Sequence, residues 1–213
     1  SLPASLVRCQ RLELLRIASN RFTSVPEPLF QLPALSWLAL AGNPITQKSE
    51  QLALDTYGLE PYSYQSMQLH ELLGEGASGH IYRASYGDQA LALKVFKAAF
   101  TSDGTPQSEL AAGLAAGTHP HLLTPLAAVT GAPEGRLAMA LPLLDPPWRA
   151  LAGPPSFESC TRDVYASGLR LSADIAQQLI QGIRAAVNHL HQRRLLHGDL
   201  YAHNTLCDLS SGK

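Results

Sequence analysis

Asp199 and Asn204 stand five residues apart in Leu196-His197-Gly198-Asp199-Leu200-Tyr201-Ala202-His203-Asn204, directly after a long amphipathic segment. A carboxylate can accept a proton from a hydroxyl, and a carboxamide can offer its oxygen to Mg²⁺. Both are hard oxygen groups, suited to Mg²⁺-assisted phosphoryl transfer, which depends on positioning and on neutralising phosphate charge. Asp and Asn also form ordinary turns, so the loop acquires this meaning only from the elements that would position it and from its partners.

A glycine triplet supplies the next feature. Leu73-Gly74-Glu75-Gly76-Ala77-Ser78-Gly79-His80-Ile81 reads G-x-G-x-x-G, in which residues without a Cβ let backbone N–H groups approach phosphate oxygens. A strand-like rhythm begins at Tyr64, and the pattern after the glycines is strand, turn, strand: residues 81–86, Gly87-Asp88, then residues 89–96. A dinucleotide-binding fold would need the glycines to run from a strand into a helix. A P-loop would need G-x-x-x-x-G-K-[ST], which is not present. Lys94 lies on the third strand between Leu93 and Val95, fifteen positions after Gly79.

Helical signals follow. After residues 101–104, Thr105 can cap a helix with Pro106 at its first position, and Glu109 falls in the first turns, fifteen residues after Lys94. An Ala/Leu-rich run then ends at Gly117. Residues 122–129 and 136–141 read as two more strands around the turn 131–135. Beyond a Pro-rich loop from Asp145 to Ser156, Ser172 offers an N-cap, and Ile175, Leu179, Ile183, Val187 and Leu190 recur at helical spacing up to Gln192. That helix leads straight into the Asp199 loop, and Thr205 to Asp208 read as strand. His119 and His121 are separated by Pro120, and His189 and His191 fall on different helix faces, so all four read as structural rather than as metal ligands.

The first 46 residues contain an internal repeat. Residues 1–23 align with residues 24–46 at an offset of 23, placing Leu12, Leu15, Ile17, Asn20 and Phe22 on Leu35, Leu38, Leu40, Asn43 and Ile45. Each unit reads L-x-x-L-x-L-x-x-N-x-L, a pattern that strongly resembles leucine-rich repeats. Pro3, Pro26, Pro28 and Pro33 would interrupt a helical pair. In such a unit the alternating apolar residues face inward from a short strand, and the Asn is expected to bond the backbone of the turn that follows. Two units are fewer than the three or so that bury a continuous core, so the expectation is a solenoid that begins before Ser1 and ends near residue 48. Residues 49–64 would form a cap or linker.

The glycine loop, Lys94, Glu109 and the Asp199–Asn204 loop occur in the order and approximate spacing of eukaryotic-type protein kinases, which the chain resembles over residues 65–213. Ala92-Leu93-Lys94 matches the family's A-x-K, and His119-Pro120-His121-Leu122 resembles its H-P-N-I turn. The resemblance implies an α+β fold: a kinase-like small lobe of five strands and one helix plus the start of the helical large lobe, preceded by the end of a leucine-rich-repeat solenoid. It also implies ATP and Mg²⁺ as cofactors. Leu73, Gly74, Gly76, Gly79, Ile81, Ala92, Lys94, Met139 and Ala140 would line the nucleotide site, with Lys94 held by Glu109. Asp199 would receive the substrate hydroxyl's proton and Asn204 would hold a Mg²⁺. The usual hinge N–H donor would fall on Pro142, which has none, leaving the Ala140 carbonyl as an adenine acceptor.

Several positions depart from the family pattern. His197-Gly198-Asp199-Leu200 replaces H-R-D-L, so a phosphorylated activation loop lacks its usual cation beside Asp199. Tyr201 and His203 leave Ser/Thr against Tyr preference unread. The H-G-D-L wording is also similar to small-molecule phosphotransferases of the aminoglycoside and choline kinase type, and Pro142, Gly198 and Tyr201 leave a pseudokinase scaffold open. A net charge of −1 gives no basic stripe, so the expected partners are a protein substrate and a protein ligand on the repeats rather than nucleic acid or anionic membrane. No apolar run reaches transmembrane length, and three scattered cysteines, Cys9, Cys160 and Cys207, suit a reducing cytoplasm.

Residues 1–213 contain no D-F-G, whose Asp would hold the main Mg²⁺. Expressed alone, they are expected to melt at low temperature and to show negligible turnover, because the large-lobe core is incomplete. A thermal melt together with an ATP-dependent phosphorylation assay on this segment checks both outcomes.

Overall fold

The computed structural model describes residues 1–76, 78–100, 104–154, 156 and 163–213. The expected loop at 101–103, the Ala77 turn position, Pro155 and Cys160 lie outside them. The fold is α+β: among the described residues it has three α-helices, a six-stranded mixed sheet and two two-stranded ladders. Two compact units divide the chain, residues 1–117 with 124–143, and residues 118–123 with 144–213. No helix among the described residues is long and apolar enough to cross a membrane.

The first unit opens with two short parallel strands, β1 (Leu14–Arg16) and β2 (Trp37–Ala39). Leu14 pairs with Trp37, Leu15 with Leu38 and Arg16 with Ala39. Every pair is 23 residues apart, so the ladder carries the offset of the sequence self-alignment. Ile17, Leu29 and Leu32 are buried behind the ladder, with Leu12, Leu15, Phe22, Leu35, Leu38 and Leu40 packed against them. The asparagines bond differently from expectation. Asn20 donates back to Ile17 and Ala18 carbonyls of its own segment. Asn43, fully buried, accepts from the Phe22 amide at 3.0 Å and donates to the Ile17 and Leu40 carbonyls, each at 2.8 Å. It therefore ties its own segment to the preceding one, because those are the orphaned backbone groups within its reach.

Asn43 is also the N-cap residue of α1 (Pro44–Tyr57), although its side chain makes no cap bond. Pro44 occupies the first helical position, where the missing N–H is no loss. The helix runs through the expected polar cap region and packs along α2 (Pro106–Ala116). Space at that junction is tight: a Cβ on Gly104 would lie 2.8 Å from Ala41 Cβ.

The sheet comprises β3 (Tyr62–Ser63), β4 (Met67–Glu75), β5 (Gly79–Tyr86), β6 (Gln89–Phe96), β7 (Ala127–Thr130) and β8 (Ala138–Pro142), in the order β3-β7-β8-β6-β5-β4. Five strands were expected. The sixth, β3, comes from the cap region and pairs in parallel with β7 at the edge. The expected strand at 122–129 shortens to β7: His119 and Leu122 close a turn by an isolated bridge, and Pro125 has no N–H for a ladder. Alternation along β6 sends Leu91, Leu93 and Val95 into one apolar cluster with Ala84, Ala127, Val129 and Ala140, while Ala92, Lys94 and Phe96 take the other face. Burying Leu91 and Leu93 completely contributes about 1.5–3 kcal/mol each, which anchors β6 and fixes the face that carries Lys94.

The second unit is built on α3 (Ala173–Gln192), whose Ser172 cap accepts from the Ile175 amide at 3.3 Å. Leu179, Gly182, Ala186 and Leu190 are buried on it. The His121 ring packs against Gly182, where a Cβ would come within 2.9 Å of Nδ1; this contact accounts for a helix-weakening glycine in mid-helix. A short antiparallel ladder joins β9 (Arg149–Ala150) to β10 (Leu206–Cys207).

Replacing Asn43 by Ala strands the Phe22 amide and two carbonyls, and is expected to destabilise the first unit by roughly 3 kcal/mol, against under about 1 kcal/mol for exposed Asn20→Ala. Urea unfolding of the two variants checks the difference.

Candidate functional site

In the first unit, Lys94 Nζ lies 2.5 Å from Glu109 Oε1. The pair spans sheet and helix. β6 presents Lys94 on the face shared with Ala92 and Phe96, and its ammonium sits 4.9 Å from the Phe96 ring centroid. The Lys94 side chain is 13% exposed and that of Glu109 is 42%, so the ammonium is the more desolvated partner and needs the carboxylate. Glu109 is placed by the cap: Thr105 Oγ1 accepts the Ser108 amide at 3.1 Å, Pro106 starts α2, and Glu109 falls in its first turn. The helix dipole favours an acid there.

Among the residues expected to line a nucleotide site, Ile81, Ala92 and Met139 share one cluster with Phe96 and Leu141, and both Ile81 and Met139 pair with Lys94 across the ladders. Leu73 is exposed at an irregularity in the β4–β5 register. Gly74 and Gly76 have open space where a Cβ would stand, whereas a Cβ on Gly79 would meet the Val95 carbonyl oxygen at 2.6 Å. Those two glycines therefore face open space, and the third allows β5 and β6 to pair closely. The Gly76 N–H is engaged within the hairpin, donating to the Gly79 carbonyl at 2.9 Å. Ala140 is not brought to the Lys94 face. It is fully buried between β6 and β7, and its carbonyl accepts the Leu126 amide at 2.8 Å.

Lys97, not singled out by the sequence, holds the glycine hairpin. Its Nζ donates to Glu75 Oε1 at 2.5 Å and to the Gly76 carbonyl at 2.9 Å, while its amide donates to the Ser78 carbonyl. The Lys97 ammonium accordingly holds the Glu75 carboxyl below its ordinary value, with help from His80.

In the second unit the Asp199 loop turns at Gly198, at φ +75°. Asn204 Nδ2 donates to Asp199 Oδ2 at 2.7 Å and to the Asp199 carbonyl at 3.1 Å. The two oxygen-bearing side chains are thus adjacent, and bonding through Nδ2 leaves the Asn204 carboxamide oxygen available to a cation. No group of three or more His, Cys, Asp or Glu is gathered as metal ligands among the described residues, so a Mg²⁺ at Asn204 would draw further oxygens from a bound phosphate and water, the usual arrangement for that ion. The donor chemistry fits.

Sequence reasoning also missed Asp163. Its carboxylate accepts from the Ala202 amide (3.2 Å), the His203 amide (2.9 Å) and His203 Nδ1 (2.7 Å). Burial pushes this carboxyl up, but the His203 ring and the two amides outweigh that, leaving it below its ordinary value. A solitary Asp in an irregular loop carries no local signal of such a role.

No protein-family model matches the chain, and no curated protein matches it.

Three of the histidines expected to be structural, His119, His121 and His189, lie together. His119 lies 5.7 Å from His121 and 4.8 Å from His189 between ring centroids, and Arg193 reaches His189 Nδ1 at 3.3 Å. Burial, then the charges of His189, His121 and Arg193, hold His119 below its ordinary 6.5. The unfolded chain therefore takes up the proton at higher pH than the folded one, so this contribution to stability is complete above about pH 6.5 and is lost as pH falls through the folded value. Between about pH 7 and about pH 5.5, melting of the second unit is expected to fall more steeply in the wild type than in His119→Asn, as followed by circular dichroism.

Proposed function

We propose that this chain is part of a leucine-rich-repeat protein kinase that transfers the γ-phosphoryl group of ATP to hydroxyl groups of protein substrates. The observation that carries the reading is the Lys94–Glu109 ion pair, made at 2.5 Å between a strand and a helix whose residues lie fifteen apart. A lysine placed on an apolar sheet face, beside a glycine hairpin with open space at Gly74 and Gly76, suits a cation that holds phosphate oxygens. Glu109 keeps it oriented. In the second unit, the adjacent Asp199 and Asn204 side chains suit the other half of the chemistry: Asp199 takes the proton of the attacking hydroxyl, and Asn204 faces a cation. Bound Mg²⁺ supplies neutralisation of charge on the β- and γ-phosphate oxygens.

The parallel ladder at a 23-residue offset supports the repeat part of the reading, with a protein partner as its ligand. The free thiols Cys9 and Cys207 suit a cytoplasmic setting. One observation favours a second reading, a scaffold with weak or no nucleotide turnover: Pro142 lacks an N–H, and the Ala140 carbonyl is already bonded within the sheet. The adenine-facing N–H donor is then missing from β8, and the carbonyl acceptor already holds one hydrogen bond. Aminoglycoside- or choline-type phosphotransfer shares the Asp199 chemistry, and acceptor choice separates it.

Phosphoryl transfer by the intact protein to a generic protein substrate is expected to fall about 10²–10⁴-fold in Asp199→Asn and about 10²–10³-fold in Lys94→Met. The melting temperature of Asp199→Asn should change little. Transfer confined to aminoglycosides or choline would replace the protein acceptor, and absence of transfer from the wild type would select the scaffold.

A further inference from the structure

Residues Ala202–Asn204 form a single 3₁₀ turn. The first N–H groups of any such turn have no partner inside it, and Tyr201, at the N-cap position, provides no side-chain cap. The missing acceptor comes from 39 and 40 residues earlier in the chain: Asp163 takes the Ala202 and His203 amides with one oxygen each, and His203 Nδ1 as well. Asp163 and His203 side chains are 14% and 19% exposed, so these charge-assisted bonds are screened little by water. Tyr201 stacks on the His203 ring, centroids 5.5 Å apart and planes 8° off parallel.

Asp163 is itself held. Val164, the next residue, exchanges two backbone hydrogen bonds with Gly153, at 2.8 and 2.9 Å. Gly153 lies just beyond β9, which pairs with β10, and the Leu151 amide donates to the Thr205 carbonyl at 2.9 Å. The turn is therefore fixed on both sides, by the carboxylate at its start and by the β9–β10 ladder after its end. At the end of this turn stands Asn204, whose Nδ2 reaches Asp199.

We propose that Asp163 is a positioning residue for the loop that carries Asp199 and Asn204, acting through the Ala202 and His203 amides and the His203 ring. This rests on the reading of Asp199 and Asn204 as the proton-accepting and cation-facing groups. Loss of the carboxylate frees the turn, and with it the direction of the Asn204 carboxamide and its bond to Asp199. Groups that orient a metal-facing side chain typically change metal affinity or activity 10–100-fold when removed. Removal of Asp163 accordingly lowers kcat about 10–100-fold and raises the Mg²⁺ concentration for half-saturation by a similar factor, while KM for ATP at saturating Mg²⁺ stays within about twofold, since uniform nucleotide binding is untouched.

The test compares intact wild type, Asp163→Ala, Asp163→Asn and His203→Phe by amide hydrogen exchange, by Mg²⁺ titration followed on the Asn204 side-chain amide signal, and by phosphoryl transfer. Faster exchange at residues 202–204 in Asp163→Ala, unchanged exchange in α3, a weaker Mg²⁺ response and reduced kcat support the proposal, with Asp163→Asn intermediate. Unchanged exchange at 202–204 overturns it, as does faster exchange with wild-type Mg²⁺ response. Should Asp163→Ala lose protection throughout α3, His203→Phe decides: it keeps a ring on Tyr201 and removes only the Nδ1 bond, and an unaltered Mg²⁺ response there overturns the proposal. A wild type that transfers no phosphate sinks the kinase reading by itself, and the exchange and Mg²⁺ titration still judge Asp163.

Discussion

An ammonium on the face of a β-sheet must keep a counter-charge, and much of the first unit is arranged around that need. Lys94 cannot turn away, because Leu93 and Val95 on either side are committed to the apolar cluster beneath β6. Its 13% exposure leaves too little water to solvate the charge, so Glu109 must stand beside it. That requirement places the first turn of α2 over the sheet. Thr105 and Pro106 start the helix at the position that brings Glu109 into reach.

From α2 the constraint extends to the beginning of the chain. α1 packs along α2, and Gly104 comes so close to Ala41 that a side chain there would collide with it. Asn43 ends the first two segments and precedes α1, and its buried carboxamide binds three backbone groups at once. The same residue thus closes the parallel ladder and sets where α1 departs. The repeat-like segments are consequently part of the unit that holds Lys94 and Glu109, joined through packed helices and not through an extended linker.

The second unit solves a different problem, that of holding an irregular loop still. The Asp199 loop follows the end of α3 and is flanked on its other side by only the two-stranded β9–β10 ladder. Its order comes from polar contacts: Asn204 to Asp199 inside the loop, and Asp163 to its backbone from outside. Hydrogen bonds to an ionised carboxylate are stronger than neutral ones, which suits a segment with little apolar area to bury. Burial, then the neighbouring charges of His189, His121 and Arg193, hold His119 below its ordinary value, and so tie the stability of this unit to pH.

Sequence alone determined what is local. Caps at Thr105 and Ser172, the Pro106 helix start, the strand-turn-strand after the glycines and the 23-residue period are all encoded within a few residues, because backbone dihedral preference and apolar periodicity act at that range. The Lys94–Glu109 pairing was expected from the resemblance to protein kinases and the fifteen-residue spacing, and the two side chains do meet. Tertiary structure decided what joins distant segments: the direction in which Asn43 bonds, the added strand β3, the shortening of β7 at Pro125, the engagement of the Ala140 carbonyl, and the approach of Lys97 and Asp163 to their loops. The physical reason is the same in each case. A buried backbone donor or acceptor must find some partner, but which partner is chosen depends on what the folded chain brings within about 3 Å of it, and no local pattern records that distance.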